Sequence, residues 1–177
     1  MNEDFCFKLI GYMPMFSSML DSVSMFTEAD WVSYSERKKR GGAAAEKSDT
    51  IPLIYSPNPA TPDMVFHELF STYSCYLDSV LKVAQASIEC TSVRQAMFTR
   101  LRHGTEIKRH KDKGPITKRS HRIHIPIITN SKCLFTVDNE TLHMGAGEIW
   151  AIDNVGKFHS VVNNGDIDRV HLIVDLM

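Results

Sequence analysis

In the stretch RLRHGTEIKRHKDKGPITKRSHRIHIPI, residues 100 to 127, His110 and Asp112 stand two apart, and so do Arg122 and His124. Side chains i and i+2 of an extended segment point to the same face. An imidazole and a carboxylate at that spacing can converge on one ion. A metal site needs a third donor, and His159 offers one, after the turn-like DNVGKF. Two imidazoles and one carboxylate on one side of an ion leave its other positions open, which suits Fe(II) and oxygen chemistry. Ten residues past His159, Arg169 interrupts the apolar run DRVHLIVDL. A cation buried in such a strand is costly without a partner. Its planar fork would match the far carboxylate of a dicarboxylate co-substrate.

These residues need strands to hold them. From residue 93 onward the chain is a series of short β-rich runs: VRQAMFTRL, HRIHIPII, CLFTV, GEIWAI, HSVVN and RVHLIVDL. Turn signals (KGP, TNSK, DNET, GAG, NNGD) separate them, the pattern of a β-sandwich or barrel. Residues 1–92 have a different grain, mainly helix with short strands such as FCFKLIGYM and TIPLIY. TEAD at Thr27 reads as a capping box for a helix over 28–38. Thr61, with Pro62 at the first helical position, is expected to cap a long helix. Its apolar stripe runs through Val65, Phe66, Leu69, Phe70, Tyr73, Tyr76, Leu77, Val80, Leu81 and Ala84. The expected architecture is α+β, one domain over 1–177, with N-terminal helices buttressing one sheet. Loop 37–49, with its paired glycines, is expected to be a lid over the site.

Composition narrows the partners. Net charge is −1, so no whole-molecule field draws the chain to nucleic acid or membrane. Yet eight of the 20 Lys and Arg fall between residues 100 and 119. Around His110 and Asp112 they would attract an anion; without interleaved aromatics the run makes a nucleic-acid substrate a poor fit. With His110 and Asp112 facing inward, Arg109, Lys111 and Lys113 are expected to face out. Cys6, Cys75, Cys90 and Cys133 form no CxxC pair, so free thiols and a cytoplasmic location are expected. The acidic N-terminus carries no secretory pattern and no run is long enough to span a bilayer.

Taken together, MFTRLRHGTEIKRHKD, RSHRIHIPIITN and GAGEIWAIDNVGKFHSVVNNGDIDRVHLIVDL resemble the aspartyl/asparaginyl β-hydroxylase family of Fe(II)- and 2-oxoglutarate-dependent oxygenases, which includes free-proline hydroxylases. The resemblance spans roughly residues 93–177. It rests on the order of HxD, RxH, DN…H and an Arg ten residues beyond that His.

The resemblance implies a double-stranded β-helix (jelly roll). It implies Fe(II) on His110 and His159, with Asp112 as the third ligand, and O2 as co-reactant. Arg169 matches the arginine that pairs with the side-chain carboxylate of 2-oxoglutarate, and Thr99 matches a hydroxyl residue touching that carboxylate. Arg122 and His124 match an Arg-x-His that helps hold the co-substrate. The animal aspartyl hydroxylases lack the carboxylate at position 112; this chain keeps it, as the proline-hydroxylating relatives do. The implied reaction is hydroxylation of a C–H bond in an amino acid, or in an Asp, Asn or Pro-type residue of an acidic peptide or protein, with succinate and CO2 released. Trp150 and Asn154 flank the site in sequence and are candidates for substrate contact. His67, His103, His121, His143 and His171 are read as structural or surface residues. The alternative is a catalytically silent, cupin-like module binding metal or a small anion.

Overall fold

The computed structural model describes residues 5–33, 47–58, 61 and 63–177. Eleven strands form two sheets: β1 (Phe7–Tyr12), β2 (Ser48–Tyr55), β3 (Val65–Phe66), β4 (Val93–Leu101), β5 (Thr105–His110), β6 (His121–Ile128), β7 (Cys133–Val137), β8 (Glu140–Leu142), β9 (Glu148–Ile152), β10 (His159–Asn163) and β11 (Arg169–Leu176). The larger sheet has seven strands in the order β1-β9-β6-β11-β4-β2-β3, and the smaller has four, β5-β10-β7-β8. All pairings are antiparallel. This is the α+β double-stranded β-helix, with its helices on the seven-stranded sheet. Strands β1 and β2 come from the N-terminal half and flank the C-terminal strands in that sheet.

Strand alternation divides the larger sheet into two chemically different faces. In β11, Val170, Leu172, Val174 and Leu176 enter one apolar core with Ile123, Ile125 and Ile127 of β6. Arg169 and Ile173 line a cavity on the opposite face, together with Arg122 and His124 of β6. Among the described residues the apolar face is covered by α1 (Phe16–Ser24), α2 (Glu28–Ser33) and α3 (Phe70–Gln85). Met19 and Val23 of α1, Trp31 of α2, and Tyr73, Leu77, Val80 and Ala84 of α3 are buried there. Burial of Leu77 and Val80 at about 1.5–3 kcal/mol each, with Tyr73 and the Ala84 methyl adding to it, holds the helix on the sheet. A second core, including Leu101, Ile107, Phe135 and Val161, fills part of the space between the sheets.

The capping box is present: Thr27 N–H and Oγ1 both donate to Asp30 Oδ2 at 2.7 Å, and Asp30 N–H returns to Thr27 Oγ1 at 3.4 Å. Residues 34–38 of the expected first helix lie outside the described residues, as do Pro62 and residues 37–46 of the expected lid. Ser48 and Asp49, expected in that loop, belong to β2. The long helix begins at Phe70, not after Thr61. Val65 and Phe66 instead pair with Tyr55 and Ile54 as an edge strand. The His67 N–H then donates to the Leu53 carbonyl at 2.9 Å, and the Phe70 N–H to the His67 carbonyl at 2.8 Å. The open sheet edge claims the two residues that helical periodicity would have added. The Thr61 hydroxyl donates to the Asn58 carbonyl, a turn contact and not a helix cap.

Candidate metal centre

Strands β5 and β10 of the smaller sheet bring the two histidines together. His110 and His159 are direct cross-strand partners, and their ring centroids lie 4.2 Å apart. Asp112 comes from beyond the end of β5, where the expected extended spacing no longer applies. Its N–H donates to the Asn154 carbonyl at 2.9 Å, which ties this segment to the loop before β10. The carboxylate therefore still reaches the histidines. Asp112 Oδ1 lies 3.5 Å from His110 Nε2 and 3.8 Å from His159 Nε2. One donor atom from each of the three lies within 4.8 Å of the others.

The donor set fits a divalent metal. His110 Nδ1 donates to the Lys108 carbonyl at 2.7 Å, because a carbonyl can only accept. That leaves Nε2 facing the cluster and Asp112, whose carboxylate raises the imidazole above its ordinary value; once its proton is given up to an incoming ion, Nε2 offers a lone pair. Nε2 is buried and has no hydrogen-bond partner, an atom that an ion would satisfy. Burial would push the Asp112 carboxyl up, but the His110 contact, the Arg122 charge and the Asn154 amide outweigh it, holding the group well below the usual carboxylate range. Burial pushes His159 down to about 4, so its ring is neutral and free to ligate near neutral pH. Phe135 lies nearly parallel to His159, 6.0 Å away, and backs the ring.

All seven expected site residues, Thr99, His110, Asp112, Arg122, His124, His159 and Arg169, line one cavity of about 70 Å³. Ser48, Ile107, Phe135, Val161 and Ile173 complete it. Arg169 is 2 % exposed. Its Nη2 donates weakly to Thr99 Oγ1 at 3.4 Å, and its Nε has no partner. No carboxylate pairs with it among the described residues. Burial pushes its guanidinium down to about 10, still a cation at neutral pH.

The other arginine is spoken for. Arg122 Nε and Nη2 donate to the two oxygens of Asp175 at 2.7 and 2.8 Å, and Nη1 donates to Asp112 Oδ2. Arg122 lines the cavity, but each of its three nitrogens meets a protein carboxylate. His124 is buried, with Nδ1 3.4 Å from Nδ1 of His171; burial pushes both imidazoles well below their ordinary range, so both are neutral. Asn154 donates from Nδ2 to Asp112 Oδ2 at 2.7 Å. Trp150 is not among the cavity residues; its indole N–H goes to Glu148 at 2.8 Å. Asp175, which is not among the residues expected from the sequence, enters the site only through Arg122.

On the rim, Lys108, Arg109 and Lys113 are exposed and Lys111 is half-buried. The Arg109 guanidinium sits 4.0 Å over the Phe158 ring, the Lys111 ammonium lies 4.9 Å from the same ring, and Lys111 donates to the Gly156 carbonyl.

Comparison with known proteins agrees with this geometry. The aspartyl/asparaginyl beta-hydroxylase family model matches residues 73–177, and the chain belongs to that family. An L-proline cis-4-hydroxylase from Rhizobium meliloti (strain 1021) is 30% identical over 136 residues, covering 77% of this chain and 45% of that protein. The chain thus spans less than half the length of this curated relative. Among solved structures, a 2OG-Fe(II) oxygenase family oxidoreductase from Burkholderia pseudomallei superimposes with a TM-score of 0.60 at 10% identity, covering 92% of this chain and 90% of the other. The viral collagen prolyl hydroxylase of Paramecium Bursaria Chlorella virus-1, in its 2OG complex, gives 0.55 at 9% identity, covering 97% and 96%. Identities this low speak to the fold alone.

Proposed function

We propose that the chain is a hydroxylase that uses Fe(II), 2-oxoglutarate and O2 on an amino-acid substrate. The observation that carries this is Arg169: a buried cation without an acidic partner among the described residues, in the same cavity as a His/Asp/His cluster. A protein that bound only a metal would gain nothing from that cation and would bear its desolvation cost.

In this reading His110, Asp112 and His159 hold the metal from one side. When bound, Fe(II) supplies the redox chemistry that couples conversion of 2-oxoglutarate to succinate and CO2 with oxygen insertion into a C–H bond. The chain's own work is binding, orientation and exclusion of water. Arg169 offers a fork to the distal carboxylate of 2-oxoglutarate, and Thr99 Oγ1 a hydroxyl beside it. His124, neutral and 5 % exposed, presents a ring to the same cavity without adding a second charge. Phe135, Val161 and Ile173 give the cavity dry walls that strengthen these contacts. The exposed cations around residue 109 raise the local concentration of anions at the mouth.

The named activity of the R. meliloti relative, acting on L-proline, and the retained Asp112 both support a small zwitterionic substrate over an Asp or Asn side chain in a protein. The test is mass spectrometry of a panel of free amino acids and short peptides incubated with the protein, Fe(II), ascorbate and 2-oxoglutarate. A product one oxygen atom heavier, from free proline or a related imino acid, is expected. Oxidation confined to Asp- or Asn-containing peptides would overturn the substrate reading. No product from any member, with 2-oxoglutarate unconsumed, would favour the silent binding module.

A further inference from the structure

We infer that the buried Asp175–Arg122 pair is a positioning device for Asp112, which leaves that carboxylate only one oxygen with which to hold a metal. The inference rests on the metal reading of the site given above.

Asp175 is 1 % exposed. Arg122 stands directly across from it, β6 against β11. The carboxylate takes two hydrogen bonds from one guanidinium, Nε to Oδ1 at 2.7 Å and Nη2 to Oδ2 at 2.8 Å. A bidentate contact of this kind fixes the plane of the guanidinium as well as its place. With Nε and Nη2 locked, Nη1 can point in one direction only, and there it meets Asp112 Oδ2. Asn154 Nδ2 reaches the same oxygen from the opposite loop at 2.7 Å. Asp112 Oδ2 thus has two donors, while Oδ1 is the atom that faces both histidines.

A carboxylate left to itself can turn and offer both oxygens to a cation. At an open-sided site this would consume a position that a co-substrate needs. Two donors on Oδ2 oppose that rotation. Arg122 is therefore a positioning residue acting through Asp112, and Asp175 acts one step further back. This also accounts for the burial of Asp175, whose carboxylate hydrogen-bonds to Arg122 alone of the cavity residues among the described residues. A pair retained for stability alone could be exchanged for apolar residues at little cost.

The experiment uses that exchange. Arg122→Met with Asp175→Val removes both charges together, and Asp175→Asn keeps the volume but sets an amide donor against the fork. Mn(II) affinity of the purified protein, without 2-oxoglutarate, is measured from the loss of the free-ion electron paramagnetic resonance signal, with thermal unfolding of each variant alongside. Outer-shell partners of metal ligands typically account for about 10–100-fold in metal affinity, and a loss in that range is expected for both variants with folding retained. The same exchange in an Asp112→Ala background is expected to change Mn(II) affinity less than about twofold, because the effect passes through Asp112.

An unchanged Mn(II) affinity in a folded variant would overturn the inference. So would an equal further loss in the Asp112→Ala background, which would mark a general structural effect. If the wild-type protein takes up no Mn(II), or His159→Ala takes it up equally well, the metal reading itself has failed and this inference with it.

Discussion

Replacing Arg169 with methionine should make the metal-free, ligand-free protein more stable while removing its response to 2-oxoglutarate. The guanidinium is 2 % exposed and its nearest polar contact is a 3.4 Å approach to Thr99 Oγ1. Burial moves it below the ordinary guanidinium range, down to about 10. At about 1.4 kcal/mol per pH unit, that gap corresponds to ~3 kcal/mol by which folding disfavours the cation. Methionine has a similar length and no charge to desolvate, though it will not pack the site fully, so a net gain of ~1–3 kcal/mol is expected. For a chain of this size that is a rise in Tm of about 3–9 °C. The pH dependence has a definite sign. A base whose folded value is lowered carries its full penalty at every pH below the folded value, and loses it as pH climbs from about 10 toward the ordinary guanidinium range, where only the unfolded chain still holds the proton. The Tm difference between variant and wild type should therefore be flat through the neutral range and narrow only in strong alkali. With Mn(II) present, 2-oxoglutarate at a hundredfold excess over its Kd should stabilise the wild type by about 2.7 kcal/mol and leave the variant unmoved. Differential scanning fluorimetry with and without the two ligands reads every arm. A variant less stable than wild type without ligands would refute the reasoning, because Arg169 would then be a satisfied structural cation. Equal stabilisation of both proteins by 2-oxoglutarate would refute the assignment of its carboxylate to Arg169.

Asp112→Ala should weaken Mn(II) binding and abolish turnover, since two neutral imidazoles cannot offset the ion's charge; an affinity equal to wild type would contradict the ligand set. Arg100→Met should cost about 1–3 kcal/mol in urea unfolding, because it removes the shorter of two arginine contacts to buried Asp49, Arg102 remaining at 3.2 Å; its Mn(II) affinity should not change, and a parallel loss would mean that cluster and metal site are coupled. Reversing the exposed rim charges, Lys108→Glu with Arg109→Glu, should lower kcat/KM for 2-oxoglutarate and spare kcat at saturation. The loss should fade with salt, as screening sets in beyond about 8 Å at physiological ionic strength; salt-independent behaviour would reduce the run to a solvated face.

Strand periodicity made much of the molecule legible. RVHLIVDL reads as a strand whose even-numbered positions, 170 to 176, are all apolar, and that is how β11 lies, with Val170, Leu172 and Val174 in the helix-covered core. The same alternation directed Arg169 to the opposite face. Contacts set by register between distant strands were not legible. Asp175 meets Arg122 because β11 lies against β6 in one register, and nothing local to either residue announces it. The resemblance implied that Arg122 helps hold co-substrate; it lines the cavity, and its donors are engaged by Asp175 and Asp112. Asn154 was noticed only as a neighbour of His159 in sequence. Its role came into view when its amide and carbonyl were found gripping Asp112. The start of α3 was misjudged for a related reason: Val65 and Phe66 continue the helical stripe, but the exposed edge of β2 offers them backbone partners that the stripe cannot reveal.

The central claim is that one cavity holds both a metal and the dianion 2-oxoglutarate and couples them to oxygen. Release of labelled succinate from labelled 2-oxoglutarate tests it most directly, measured with free proline present and with Fe(II) or O2 withheld in turn. The account predicts succinate only when both are supplied, formed in step with hydroxylated amino acid, and absent from His159→Ala and Arg169→Met. Succinate formed at the same rate by those two variants, or none formed by the iron-loaded wild type with any amino acid or peptide, would contradict it.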